Sequence, residues 1–304
     1  MSWQARLINL ALRLIEKPAL ARAQDPVKLR RDFERKARLL FHPPHGTVFS
    51  RGRFGGVLCT SVLPRGTNPD APVLLYLHGG GYVFGSARTH RAFAARIAAR
   101  SGLRAVLPDY PLAPEASFPA ALDASMSVYH DLTAEVGAHN IIIGGDSAGG
   151  GLALSLLGVL LREGAPLPAG VFGFSPLTDL TFSGASFVEN ANADVMLPAQ
   201  RAGVMSDYYL DGQSADDPRA SPLFADFAGA PPVWLTVGNT EILRDDSLRM
   251  AQRLQDQGVD VTLRLKQDLP HVWPMFHSYM PEANATLDEL GGWLRTRVRG
   301  SDGS

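Results

Sequence analysis

Short apolar, β-branched runs alternate with helix-compatible stretches along most of this 304-residue chain, and that rhythm confines it to one fold class. Strands are predicted at Gly56–Leu63, Val73–Leu77, Arg104–Pro108, Asn140–Gly144, Gly170–Phe174, Val233–Val237 and Val261–Leu265. Helices are predicted at Ala87–Arg100, Ala120–Glu135, Gly150–Arg162, Asp246–Gln257 and Ala283–Val298. Strands that are apolar throughout must be covered on both faces. The pattern therefore specifies an α/β fold, a mostly parallel central sheet flanked by helices. Hydrophobic residues make up 45% of the chain, enough to fill a large core on either side of that sheet. The rhythm breaks over Thr178–Ala230, whose Pro-, Asp- and Ala-rich connections hold one helix candidate, Pro198–Tyr209, and no strand.

The strand, turn and helix spanning Asn140–Arg162 carry Gly145-Asp146-Ser147-Ala148-Gly149 at the turn, the G-x-S-x-G spacing of a nucleophile elbow. A serine there takes a strained backbone conformation that thrusts its hydroxyl outward, and side chains in place of Gly145 and Gly149 would collide. A second glycine run, His78-Gly79-Gly80-Gly81, follows the strand Val73–Leu77. Lacking Cβ atoms, it leaves N–H groups open to a substrate oxygen, as an oxyanion hole requires, and Ala148 N–H supplies a further donor. A phosphate cradle is the competing use of such a run. Against it, no Gly-Lys-Ser/Thr follows and no G-x-G-x-x-G opens a helix there.

With both motifs in hand, the chain resembles the hormone-sensitive-lipase-like esterases, the bacterial family IV branch of the α/β-hydrolase superfamily. Asp109-Tyr110-Pro111-Leu112-Ala113-Pro114-Glu115 is similar to that family's D-Y-R-L-A-P-E segment, with Pro111 where arginine is usual. Ser175–Thr181, Ala220–Leu223 and Pro270–Trp273 match further family segments, while Gly151 stands where asparagine is common. The likeness runs from about Arg53 to the C-terminal helix, and the first fifty residues match in character alone. It implies an α/β-hydrolase fold with a helical cap: residues 1–50 as an N-terminal cap segment, and residues 51–304 as the catalytic domain with a cap insertion at about 178–230. It also implies an oxyanion hole from Gly80, Gly81 and Ala148, supporting roles for His78, Gly79, Tyr82 and Asp146, and no metal or organic cofactor.

In hydrolases with this elbow the triad runs serine, acid, histidine along the chain. Of eight histidines, only His271 and His277 lie beyond a suitable acid. His271 follows the strand Val261–Leu265 by a short connection, on a loop from which its imidazole can reach Ser147. His277 lies past the aromatic stretch Trp273–Phe276 and is expected to pack at the start of the final helix. Aligning Leu243-Arg244-Asp245 with the family's D-P-L-R-D puts Glu241 at the position of the triad acid, and a glutamate supplies the carboxylate that orients an imidazole. Asp245 is the rival acid. Its other reading, shared with Asp246, is a first-turn residue that caps the next helix and complements its dipole.

Charge is balanced, 29 Lys and Arg against 30 Asp and Glu, so nothing recruits nucleic acid or an anionic membrane. The single cysteine, Cys59, excludes an intramolecular disulfide and a multi-cysteine metal site, and reads as a small buried strand residue. Leu7, Leu10, Ala11 and Leu14 recur at helical spacing among Arg6, Arg13, Glu16 and Lys17, and Asp32–Leu40 adds a second, charged helical stretch. Both are expected to cover the domain, with no signal peptide, no stable membrane insertion and a cytoplasmic location. Only the tail Gly300–Ser304 is of low complexity. The expected protein is a serine carboxylesterase that hydrolyses small, short-acyl esters through an acyl-enzyme. Lactones and acetylated small molecules are alternative substrates, and a non-catalytic small-molecule receptor on the same fold is an alternative of another class. A homodimer is expected through the edge of the last strand or the C-terminal helix.

Overall fold

Strands β1 (Val48–Phe54), β2 (Val57–Leu63), β3 (Val73–Leu77), β4 (Arg104–Pro108), β5 (Ile141–Asp146), β6 (Gly170–Phe174), β7 (Val233–Gly238) and β8 (Val261–Lys266) form one sheet in a computed structural model. It describes residues 1–298, so the tail Gly300–Ser304 lies outside the described residues. The strand order is β1-β2-β4-β3-β5-β6-β7-β8; β2 pairs antiparallel with both neighbours, and β4 through β8 pair parallel. The central strands β3, β5, β6 and β7 are buried along their whole length. That is why they read as unbroken apolar runs.

Helices α1 (Trp3–Ala11), α2 (Lys17–Arg22) and α3 (Pro26–Leu40) precede the sheet, and α4 (Ala87–Ser101), α5 (Ala120–Val136) and α6 (Ala148–Glu163) follow within it. The second half adds α7 (Ser186–Glu189), α8 (Ala199–Leu210), α9 (Arg244–Asp256) and α10 (Pro281–Val298). Alternate side chains of β3 divide between two cores, as strand geometry demands. Val73, Leu75 and Leu77 join the cluster of α5, α6 and α9, whereas Leu74 and Tyr76 join that of α4 and α10. Cys59 is a buried residue of β2, and burial pushes its thiol up to about 12. Among the described residues no helix is long and apolar enough to cross a membrane.

The sequence reading missed β1. Its residues, Val-Phe-Ser-Arg-Gly-Arg-Phe, lack an apolar alternation, and the strand exists because all seven pair with β2. The sheet thus begins at Val48, inside the segment 1–50 expected as an N-terminal helical cap. His277 is buried in the turn before α10 and packs at the start of that helix: its carbonyl accepts from Asn284 Nδ2 at 2.5 Å, and its ring stacks on Phe93 with centroids 6.3 Å apart.

The N-terminal helix also departs from expectation in which face it buries. Trp3, Leu7, Leu10 and Leu14 are 68%, 56%, 53% and 65% exposed. Ala5 and Leu12 turn inward, with Ile8 packed against the cluster of Leu269, Trp273 and Met280. Asn9 Nδ2 donates to the Asp268 carbonyl at 2.8 Å on the same side. A one-turn π segment, Leu12–Glu16, joins α1 to α2.

Candidate active site

The elbow forms because β5 leads straight into α6 and the turn between them must be tight. Ser147 has φ 54° and ψ −125°, a conformation that strains a non-glycine residue by on the order of 1–3 kcal/mol. Its N–H donates to the Phe174 carbonyl at 2.8 Å, and its own carbonyl accepts from Gly151 and Leu177, both at 3.0 Å. A Cβ at Gly149 would stand 2.2 Å from the Leu77 carbonyl oxygen, and one at Gly145 would stand 2.4 Å from that of Gly149. Gly151 is held just as tightly: a Cβ there would meet the Leu177 oxygen at 1.9 Å, so the asparagine of the resemblance has no room without a shift of that loop.

The glycine run leaves the end of β3 next to this turn. Gly79 N–H donates to Asp146 Oδ1 at 3.1 Å, which also accepts from Tyr76 at 2.7 Å. No hydrogen bond among the described residues takes the N–H of Gly80 or Gly81. Ala148 opens α6, so its N–H has no helical acceptor. Burial alone would raise the Asp146 carboxyl. His90, 3.5 Å from Oδ2, and the hydrogen bonds from His90 and Tyr76 outweigh that and hold it below its ordinary value. His78 is buried and its imidazole is pushed down to about 3, by burial first and by nearby His90 second. It stacks on Tyr110 at 4.2 Å, and Tyr110 donates to the His78 carbonyl at 2.5 Å. Tyr82 stacks on Tyr209 at 3.7 Å. These residues brace the run from behind.

His271 lies on the loop after β8 and Glu241 on the loop after β7, at the same edge of the sheet as Ser147. His271 Nδ1 donates to Glu241 Oε2 at 2.6 Å, while Oε1 accepts from Gly238 N–H at 2.6 Å and Ser175 Oγ at 2.8 Å. His271 Nε2 is buried without a partner, and it lines one cavity with Ser147, Gly80 and Gly81. Burial lowers the affinity of His271 for a proton, but the Glu241 carboxylate more than offsets this, so its pKa lies above 6.5. Asp245 binds elsewhere: Oδ1 accepts from Arg244 at 2.8 Å and Oδ2 from Ser186 N–H at 2.9 Å.

Sequence reasoning missed two anchors. Ser175, fully buried with φ 47°, donates to Glu241 and accepts from Val272 N–H at 3.2 Å, tying the loops after β6, β7 and β8 together. Its place at the end of a predicted strand was the available signal. Asp246, expected to cap its own helix, instead accepts from Thr178 and Asp179 N–H at 2.7 and 2.9 Å and pins the start of the 178–230 stretch. The cavity above Ser147 is walled by that stretch, through Leu180, Phe182 and Met205, and by the N-terminal helices, through Leu12, Leu20 and Phe33. Among the described residues no group of three or more His, Cys, Asp or Glu is placed to hold a metal ion.

Comparison with known proteins agrees with this fold. A sequence profile of the alpha/beta hydrolase fold matches residues 74–275. An acetyl-hydrolase of Streptomyces hygroscopicus is 34% identical over 255 residues, covering 83% of each chain. An esterase of Acinetobacter venetianus is 37% identical over 221 residues, covering 72% of this chain and 73% of its own. Among solved structures, an esterase of the bacterial hormone-sensitive lipase family superposes with a TM-score of 0.92 at 35% identity, covering 98% of this chain and 99% of that one. EstE5, in a crystal soaked with p-nitrophenyl butyrate, gives 0.93 at 33% identity, covering 99% and 100%.

Proposed function

The chain belongs to the α/β-hydrolase-fold family, in the branch of the bacterial hormone-sensitive-lipase-like esterases, and from that premise we propose a serine carboxylesterase acting through Ser147, His271 and Glu241. The observation that carries the reading is the buried His271–Glu241 pair at 2.6 Å, whose histidine, with Nε2 unpartnered, lines the cavity that also holds Ser147. His271 Nε2 takes the Ser147 hydroxyl proton as Oγ bonds to the ester carbonyl carbon. The carbonyl oxygen becomes an oxyanion held by the N–H groups of Gly80, Gly81 and Ala148. Collapse breaks the bond to the alcohol oxygen, which leaves with the proton from His271. Water, deprotonated by His271, then attacks the acyl-enzyme and the acid is released. Glu241 holds the imidazole in the tautomer with its proton on Nδ1 and stabilises the imidazolium.

The substrates are small esters with short acyl chains, acetyl esters included. Support comes from the relatives named acetyl-hydrolases and from the p-nitrophenyl butyrate used with EstE5. The N-terminal helices and the 178–230 stretch act as the cap, since both wall the cavity. A homodimer through the open edge of β8, where Leu265 is 48% exposed, completes the proposal. So does a cytoplasmic location, which suits a lone free thiol.

Hydrolysis of p-nitrophenyl esters from acetate to palmitate, wild type beside Ser147→Ala, tests the reading. Activity that peaks at short chains and vanishes in the variant is expected. Activity highest at long chains would keep the mechanism and replace esterase by lipase. A folded wild type inactive on every ester, lactone and acetylated compound would leave the small-molecule receptor. Sedimentation as a monomer at working concentration would remove the dimer.

A further inference from the structure

The cavity above Ser147 contains a cation that the ester chemistry does not use. Arg201, on α8, lines that cavity and is 8% exposed, yet its Nε and Nη2 are buried without a hydrogen-bond partner. Among the described residues it forms no ion pair; its guanidinium carbon lies 5.9 Å from the Tyr208 ring centroid. The one glutamate in the cavity wall, Glu16, is engaged by Lys36 Nζ at 2.6 Å. On the same stretch as Arg201 the cavity is lined by Leu197, Pro198, Ala202, Met205 and Ser206, none of which pairs with Arg201 Nε or Nη2. A buried guanidinium demands a partner, because its donors have given up water and received nothing in return. Its fork of N–H groups matches a carboxylate.

Helix geometry sets where that partner must be. Arg201 and Met205 are four residues apart, hence on one face of α8 and about 5–6 Å apart at their Cβ atoms. Met205 in turn touches the glycine run, its sulfur lying 2.8 Å from where a Cβ on Gly81 would be. Arg201 therefore stands on the helix face that borders the glycine run, and it lines the same cavity as Ser147. An anionic group on a substrate held at Ser147 would lie within that cavity.

We propose that Arg201 forms an anion subsite and that the preferred substrates are acidic esters, carrying a free carboxylate on the acyl or the alcohol part. This rests on the esterase reading and narrows its substrate class.

Two matched pairs test it. Mono-4-nitrophenyl adipate against 4-nitrophenyl hexanoate places the charge on the acyl side, and 4-acetoxybenzoate against 4-acetoxybenzamide places it on the alcohol side. Wild type is expected to favour the anionic member of at least one pair in kcat/KM, after correction for uncatalysed hydrolysis. Arg201→Met should lower that anionic-to-neutral ratio by about 100-fold, chiefly through KM, and Arg201→Lys should restore part of it. Free adipate or 4-hydroxybenzoate, whichever matches the preferred pair, should raise the Tm of wild type and not that of Arg201→Met. Neutral esters cleaved by wild type and not by Ser147→Ala report separately that the esterase reading stands. With that activity present, a preference for the neutral member of both pairs overturns the proposal. So does an Arg201→Met protein that melts well below wild type and loses both members of a pair alike, which would make Arg201 a packing residue.

Discussion

The platform that carries Ser147, Glu241 and His271 and the N-terminal helices that wall the same cavity are held in place by different forces. Behind the elbow, α6 buries Leu152, Leu154, Leu156, Leu157 and Leu160 completely, and each such side chain contributes about 1.5–3 kcal/mol. Along the N-terminal segment Trp3, Leu7, Leu10, Leu14 and Ile15 face outward while Leu12 and Leu20 are buried, and polar contacts with backbone carbonyls add to the attachment. Arg13 Nη2 donates to Ala193 at 3.0 Å, and Lys17 Nζ to Ala191 and Asp194 at 2.7 and 2.6 Å. Such bonds contribute about 1–3 kcal/mol each. The two regions thus differ in what keeps them closed, which predicts that the N-terminal segment opens at a lower free energy than the platform. An enzyme that must hold its nucleophile rigid and still admit substrate needs that asymmetry.

Changes to the platform should have the largest effects. Glu241→Gln is expected to lower kcat by about 10⁴-fold with the fold retained, and Asp245→Asn far less, since Asp245 points to Arg244 and Ser186. If Asp245→Asn were the more damaging of two folded variants, Glu241 would not be the acid. Because the base must be neutral and Glu241 raises its pKa, kcat/KM should fall as pH drops through a value above 6.5. In Glu241→Gln the burial of His271 remains and the raising charge is gone, so the residual activity should lose its acid limb to lower pH. An acid limb unmoved by the substitution would break the link between the two residues.

Leu152→Ala should cost about 2–5 kcal/mol in urea unfolding, because Leu152 is fully buried and its truncation leaves a cavity in the core. Native-state hydrogen exchange should then show α1 amides opening at a much lower free energy than those of α6. Equal protection would mean that the N-terminal helices unfold only with the core. Smallest of all, Leu10→Ser should change stability by no more than about 0.5 kcal/mol, since that side chain is 53% exposed. A loss comparable to that of Leu152→Ala would mean that the outward stripe is covered in solution.

Much of this was legible from local rules. Strand-length apolar runs, the tight turn at Gly145–Gly149 and the chain order of Ser147, Glu241 and His271 follow from backbone sterics and residue type, which act within a few positions. What the sequence could not determine are features that exist only between distant segments. The strand at Val48–Phe54 is a strand because β2 lies beside it. Ser175 matters because it meets Val272, 97 positions later, and Asp246 because it meets Thr178, 68 positions earlier. The periodicity of Leu7, Leu10 and Leu14 specified a helix with an apolar stripe, but its direction depended on what lay beneath. There the close approach to Asp268, Trp273 and Met280 favoured small Ala5 and polar Asn9 over the leucines. Arg201 carried no local signal at all. A guanidinium becomes a binding group only once packing has stripped it of water and of partners, and packing is a property of the whole fold.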